Sequence, residues 1–276
     1  MSRSLLLYVL LLSACGGETP SPENAEPATA RPVTTVEVIR EEPPPDEPAE
    51  APRDPMLVKG VASVAPETAP DVRITEPRKN AVVKAGPVKV KLAVKNWPTM
   101  PNGPYLAVIV DDRPPIRVDD PAAAVEIADL EEGSHLVRAM AVRSSGESLR
   151  QAGAVAATTF HVGRRTANWG FNPSGPYLTL NLPSGTYQGD GAATVMLDFQ
   201  IANPAAGQKV KVSVGDVISG DIADWVPHHL SDLPDGANTV VLEIVGADGT
   251  PLSGAFRRAT RTFTIQRGEP AAPAAE

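Results

Sequence analysis

Four histidines, three tryptophans, a single cysteine and several runs of acids are the residues of this chain whose types could do chemistry. His135, His161, His228 and His229 could serve as bases or metal ligands. His228 and His229 are neighbours in a strand-like run, so their side chains point to opposite faces and do not readily share an ion. His161 falls on the wet side of its run by alternation, and His135 opens another run. Acids gather at Asp111-Asp112, Asp119-Asp120 and Asp129-Glu131-Glu132, and again at Asp216, Asp221, Asp224, Asp232 and Asp235. Calcium takes about six to eight oxygens from such loops, but no calcium-loop spacing is present and acidic turns are common on surfaces. No metal ligand and no cofactor is expected. Trp97, Trp169 and Trp225 sit at strand ends or in a junction, where a flat ring could stack on a sugar. Three Trp, four Tyr and five Phe in 276 residues are few for a broad stacking platform. The Gly-x-Ser-x-Gly elbow and the phosphate-binding and dinucleotide glycine patterns are absent. No catalytic residue is assigned, and the chain reads as non-enzymatic.

The cysteine has a different meaning. Arg3 gives a basic start, Leu5 to Leu12 is an apolar run too short to span a bilayer, and Leu12-Ser13-Ala14-Cys15 follows. With one Cys no intramolecular disulfide or Cys-based metal site can form. The Leu-Ser-Ala-Cys run resembles the lipobox of bacterial lipoproteins. That resemblance implies removal of residues 1–14 and acylation of Cys15 by a thioether-linked diacylglycerol and an N-acyl chain such as palmitate. Several acyl chains exceed what stable anchoring needs. Gly16, standing where an Asp would favour inner-membrane retention in enteric bacteria, points to the outer membrane. The covalent lipid would then be the only non-protein group.

Residues 16–70 hold 12 Pro, 11 acids and 4 bases, a net of −7 against −8 for the whole chain. Such a segment has too little apolar surface to build a core, and it reads as a disordered Pro/Glu-rich tether. At ~3.1 Å per residue it would reach roughly 170 Å stretched and about 40 Å as a coil. Val33–Ile39 and Met56-Leu57-Val58 interrupt it. Either is a linker with a few apolar residues, an edge strand or a docking peptide. The acidic balance argues against nucleic acid as a partner.

From residue 71 the chain alternates in short runs and repeats itself. Asp129-Leu130-Glu131-Glu132-Gly133 matches Asp232-Leu233-Pro234-Asp235-Gly236 at an offset of 103, without a gap to Thr159-Phe160 against Thr262-Phe263. Val88–Asn96 matches Val195–Asn203 at 107, and Pro77 matches Pro183 at 106, so insertions lie in loops. Strands are expected over 72–75, 88–95, 105–110, 124–128, 135–143 and 156–162 of the first unit. Val88, Val90, Leu92 and Val94 alternating with lysines is a strand with one wet face. Short strands with turns every 8–12 residues or so, and no helical period, argue for a β-sandwich. The block Asp-Leu-x-acid-Gly, then a Gly turn, then Thr-Phe, resembles bacterial Ig-like and fibronectin III-like domains.

The fold expected is therefore all-β: two tandem immunoglobulin-like β-sandwiches after a signal peptide and a disordered tether. Its parts are a signal peptide (1–14), a lipidated Cys and tether (15–70), a first Ig-like domain (71–163), a linker (164–176), a second Ig-like domain (177–268) and a disordered tail (269–276). The linker, with Trp169-Gly170-Phe171, is either a flexible hinge or a packed junction. The function expected is that of a non-enzymatic lipoprotein of the bacterial envelope, held to the membrane by its lipid. Its two interaction domains would serve adhesion, scaffolding or assembly with an envelope protein or glycan. The alternative is a module for carbohydrate or peptidoglycan, working through Trp97, Trp169 or Trp225.

Overall fold

Alternation sets the strands. In the run Val88–Lys95 the valines and leucine turn inward and Lys89, Lys91, Ala93 and Lys95 turn out, and a slip of one residue would put every apolar side chain in water. The computed structural model describes residues 53–268. Leu12, Ser13, Ala14, Cys15, Val33–Ile39 and the tail 269–276 lie outside the described residues.

The first sandwich has two sheets. One joins β2 (Asp71–Glu76), β4 (Val88–Lys95) and β7 (Val125–Ile127) in the order β2-β4-β7. The other joins β3 (Ala81–Val83), β5 (Tyr105–Val110), β6 (Ile116–Val118), β8 (Gly133–Val142) and β9 (Val155–Val162) in the order β3-β9-β8-β5-β6. Val72, Val90, Val108, Val137 and Phe160 meet between them.

The second sandwich repeats this plan. β10 (Tyr177–Leu182), β12 (Thr194–Ala202) and β15 (His228–Ser231) form one sheet. β11 (Thr186–Gln188), β13 (Lys209–Val214), β14 (Ile218–Ile222), β16 (Gly236–Val245) and β17 (Arg258–Gln266) form the other, in the order β11-β17-β16-β13-β14. In both units the strand after the first β-bulge pairs in parallel with the last strand: β3 with β9 and β11 with β17. The bulges themselves fall at matching places, between Ile74 and Glu76 and between Leu180 and Leu182, each just before a cis proline. Asp129 and Asp232, aligned by the sequence repeat, both take a left-handed backbone with φ of 55°. Asp tolerates that conformation better than most residues, and it turns the chain into β8 and β16. The architecture is all-β sandwich, as the alternation requires.

Two features go beyond what the alternation fixes. The first is a seventeenth strand among the described residues, β1 (Met56–Lys59), within the stretch read as a tether through residue 70. It adds to the open edge of β15 in the second sandwich, Met56 opposite Ser231 and Lys59 opposite His228. Of the alternatives for Met56-Leu57-Val58, the chain takes the edge strand, and disorder does not extend through residue 70. Leu57 packs on the second core. Gly60 N–H then donates to the Pro227 carbonyl at 2.9 Å. The chain crosses to the first sandwich, where Ser63 N–H donates to Glu147 at 3.1 Å, Arg143 to the Val64 carbonyl at 2.5 Å and Gln151 to the Pro66 carbonyl at 3.2 Å. Residues 56–66 form a strap over both sandwiches.

The second feature is that the sandwiches share a wall. β5 and β8 are buried on both faces. One face of each fills the first core. On the other, Ala107, Ile109, Met140 and Val142 make a separate apolar cluster flanked by Tyr105 and Val155. Their counterparts β13 and β16 keep a wet face. The linker is a packed junction. Trp169 lies 5.1 Å from Phe171 and 5.9 Å from Phe256, ring centre to ring centre, and Phe171 lies 5.4 Å from Tyr177. All the described residues fall in one compact unit, 50–276.

Candidate functional site

The polar residues that converge in this protein do so between the sandwiches. Asp198, on the outer face of β12, is fully buried. Its carboxylate accepts from Ser148 N–H at 3.1 Å, from Arg150 at 2.8 Å and from Asn181 Nδ2 at 2.9 Å. Asn181 also donates to the Gly146 carbonyl at 2.9 Å, and Gln200 to Ser148 Oγ at 3.0 Å. Burial raises the Asp198 pKa, and the Arg150 guanidinium opposes this. Arg138, on β8, is buried and donates to the Leu178 carbonyl at 2.7 Å and to that of Asp111. Its guanidinium lies 5.2 Å from the Phe256 ring centre, a distance at which cation and ring attract. Burial lowers its pKa, against the pull of Asp112 and Asp111. Arg261, on β17, donates to the Leu180 and Asn181 carbonyls at 2.9 and 3.0 Å and reaches the Arg113 carbonyl of the first sandwich at 3.0 Å. Its pKa is pushed down to about 10 by burial, against the pull of Asp112, so it stays charged at neutral pH. Charged groups removed from water are costly unless each finds partners. Here carbonyls and one carboxylate partner the guanidinium Nη atoms, while the Nε of Arg138, Arg150 and Arg261 have no partner among the described residues, and the arrangement fixes two bodies rather than activating a substrate.

This seam was missed from the sequence. Its trace is there: Tyr105–Val110 and Leu136–Val142 are apolar almost without alternation, whereas Lys209–Val214 alternates. A strand apolar on both faces is covered on both faces. A lone Arg138 inside such a run had to find acceptors in the neighbouring body.

The residues singled out beforehand are scattered. Trp97 packs on the first core and its indole N–H donates to the Tyr105 carbonyl at 3.1 Å. Trp225 packs on the second core with its ring 6.3 Å from Phe199. Trp169 belongs to the junction. All three are half-buried, each against its own protein partners. His135 Nδ1 lies 2.7 Å from Asp111 Oδ2 and its Nε2 lies 2.9 Å from the Glu131 carbonyl. His161 is not on a wet face as alternation suggested. It is 6% exposed, with Val82 and Ser134 beside it on the neighbouring strands. Its Nδ1 lies 2.8 Å from Ser134 Oγ, and that oxygen accepts from Thr166 N–H at 2.9 Å. Burial lowers its pKa. This serine–histidine contact is the arrangement nearest to a nucleophile and base among the described residues. No carboxylate is hydrogen-bonded to His161 there to orient it, as a triad would require. Ser134 instead ties Thr166 of the junction to β8. His228 Nδ1 donates to the Val226 carbonyl at 2.9 Å, and His229 follows on the opposite face of β15. Among the described residues no three His, Asp or Glu side chains group as a metal would need.

No family model matches the chain, and no curated protein matches it either. Among solved structures it is similar to the fibronectin(III)-like modules of Clostridium thermocellum CbhA, at 13% identity over 71% of this chain and 94% of that one, with a TM-score of 0.27. The two tandem V-type regions of VCBP3, a v-region-containing chitin binding protein, match at 10% identity over 72% and 100%, with a TM-score of 0.24. The central fibronectin-III array of RIM-binding protein matches at 16% identity over 75% and 72%, with a TM-score of 0.25. Identities and TM-scores are low in all three, and the sandwich assignment rests on the strand order of this chain itself.

Proposed function

We propose that this chain is a non-enzymatic lipoprotein of the bacterial envelope, anchored through Cys15 at the outer membrane, whose two interlocked sandwiches act as one interaction head. The observation that carries the reading is the buried seam around Asp198, Arg138 and Arg261. Side chains that could have lined a reactive cleft are spent on holding one sandwich to the other, and the outer surfaces are left for partners. Trp97, Trp169 and Trp225 are half-buried, each against protein partners, so an aromatic glycan site would have only their exposed edges to work with. The anchor is tested directly. Cys15→Ser in the full chain should move the protein from the membrane pellet to the soluble fraction and stop incorporation of labelled palmitate. A variant that stays in the pellet, acylated or not, refutes the anchor.

A further inference from the structure

The charge of this chain is unevenly placed. Residues 71–95 carry seven bases and two acids in a protein whose net charge is −8. The aligned stretch of the second unit, residues 177–202, carries Asp190 and Asp198 and no base. The sandwich fold therefore does not require these cations. In the second unit the corresponding outer face of β10 and β12 is sealed in the seam. In the first unit the outer face of β2 and β4 is open to water.

Two of the seven bases are engaged locally, Arg73 with Asp71 at 2.7 Å and Lys91 with Glu76 at 3.2 Å. Arg78, Lys79, Lys84, Lys89 and Lys95 are exposed and have no ion pair among the described residues. Glu126 stands opposite Lys89 in the β4–β7 register, the one acid facing this row from β7. Beside the row runs a groove of about 550 Å³. Pro77, Ala81, Val83 and Pro87 give it an apolar lining, and Arg78, Lys84 and Lys89 stand at it together with one acid, Glu76, which Lys91 pairs.

From this we infer that the groove along β2, β3 and β4 of the first sandwich binds an anionic polysaccharide, with carboxylated sugars as the recognised unit. The proline and valine surfaces suit the C–H face of a sugar ring, and the cations suit its carboxylate. A linear chain follows a groove in a way that a flat bilayer does not. No aromatic residue lines the groove to stack a nucleobase, as single-stranded nucleic acid sites use. The inference rests on the reading of the molecule as an interaction head and names its partner. It does not depend on the anchor, so the two can fail separately.

The test uses the full-length chain and four probes at equal charge concentration: polygalacturonate, polyglutamate, oligothymidylate and vesicles of anionic lipid. Binding is read by calorimetry, with backbone NMR shifts to locate it. Polygalacturonate should bind at least about tenfold more tightly than the other three, and should weaken by at least about tenfold as salt rises from about 50 to 500 mM. Arg78→Glu/Lys84→Glu/Lys89→Glu should abolish it. Lys209→Glu/Lys211→Glu/Arg258→Glu, the same charge change on the second sandwich, should leave it intact. Lys84→Ala, a single exposed change, guards against misfolding of the triple variant and should weaken binding several-fold. Absence of binding to polygalacturonate, equal binding of another probe, or equal loss in the second-sandwich control would each overturn the inference.

Discussion

His135 pins the turn before β8 by the same contact that Asn238 makes before β16. His135 Nε2 lies 2.9 Å from the carbonyl four residues back, Glu131, and Asn238 Nδ2 lies 2.8 Å from that of Pro234. The two positions align at the 103-residue offset, so one unit shows what the other can tolerate. His135→Asn should keep this bond and lose the link to Asp111, costing about 1 kcal/mol, whereas His135→Ala should lose both and cost about 2–3 kcal/mol. Urea denaturation of the two variants decides it, and an Asn variant as unstable as the Ala variant would show that the Asp111 link dominates. The repeat made His135 legible as a structural residue, because a catalytic group has no reason to be replaced by Asn at an equivalent turn. Its partner Asp111 was not legible. It lies 24 residues away, and only the pairing of β5 with β8 brings the two together.

At the level of elements, strands long enough to show alternation were readable. Those expected at 88–95 and 105–110 coincide with β4 and β5, and the others agree within two residues at each end. Strands β3 and β6 have three residues each and were not read, although β7, equally short, was read as part of 124–128. β1 was ambiguous for a physical reason: a four-residue edge strand earns its place only from the sheet it joins. The position that lets it dock is Gly60. A Cβ there would stand 2.7 Å from the Pro227 carbonyl and 3.1 Å from the His229 ring, and the backbone oxygen cannot swing aside. Gly60→Ala should therefore lift the strap and expose Leu57, at a cost of about 1–3 kcal/mol. Limited proteolysis should then cut within residues 56–66 well before the sandwiches, while in the wild type this stretch resists. Equal resistance in both would mean that the Ser63, Val64 and Pro66 contacts hold the strap alone.

For the whole molecule the seam decides how many units unfold. Two sandwiches joined by a loose linker would melt separately. Here Asp198 sits without solvent contact between Arg150 and Ser148 of one body and Asn181 of the other, so the bodies should melt as one. Removing one partner of a buried ionic contact leaves the rest uncompensated, and Asp198→Ala should cost about 3–5 kcal/mol. Calorimetry should show one transition for the wild type and two for the variant, and a single sharp transition in both would show that the apolar cluster around Met140 holds the bodies together unaided. Little of this was visible in the sequence beyond the unbroken apolar runs, since a contact between bodies leaves no local period.

The strap also sets the order in which the two bodies feel a pull. Tension reaching residue 55 from upstream crosses four rungs of the β1–β15 ladder and enters the second sandwich. It reaches the first behind them, through Ser63, Val64 and Pro66 and through the seam. The body nearer in sequence is thus the farther along the line of force. Ladder hydrogen bonds stand across the strands, so a pull along β1 loads all four rungs together, while a sideways pull opens them one after another. The direction of the tug, more than its strength, determines whether the strap grips or peels.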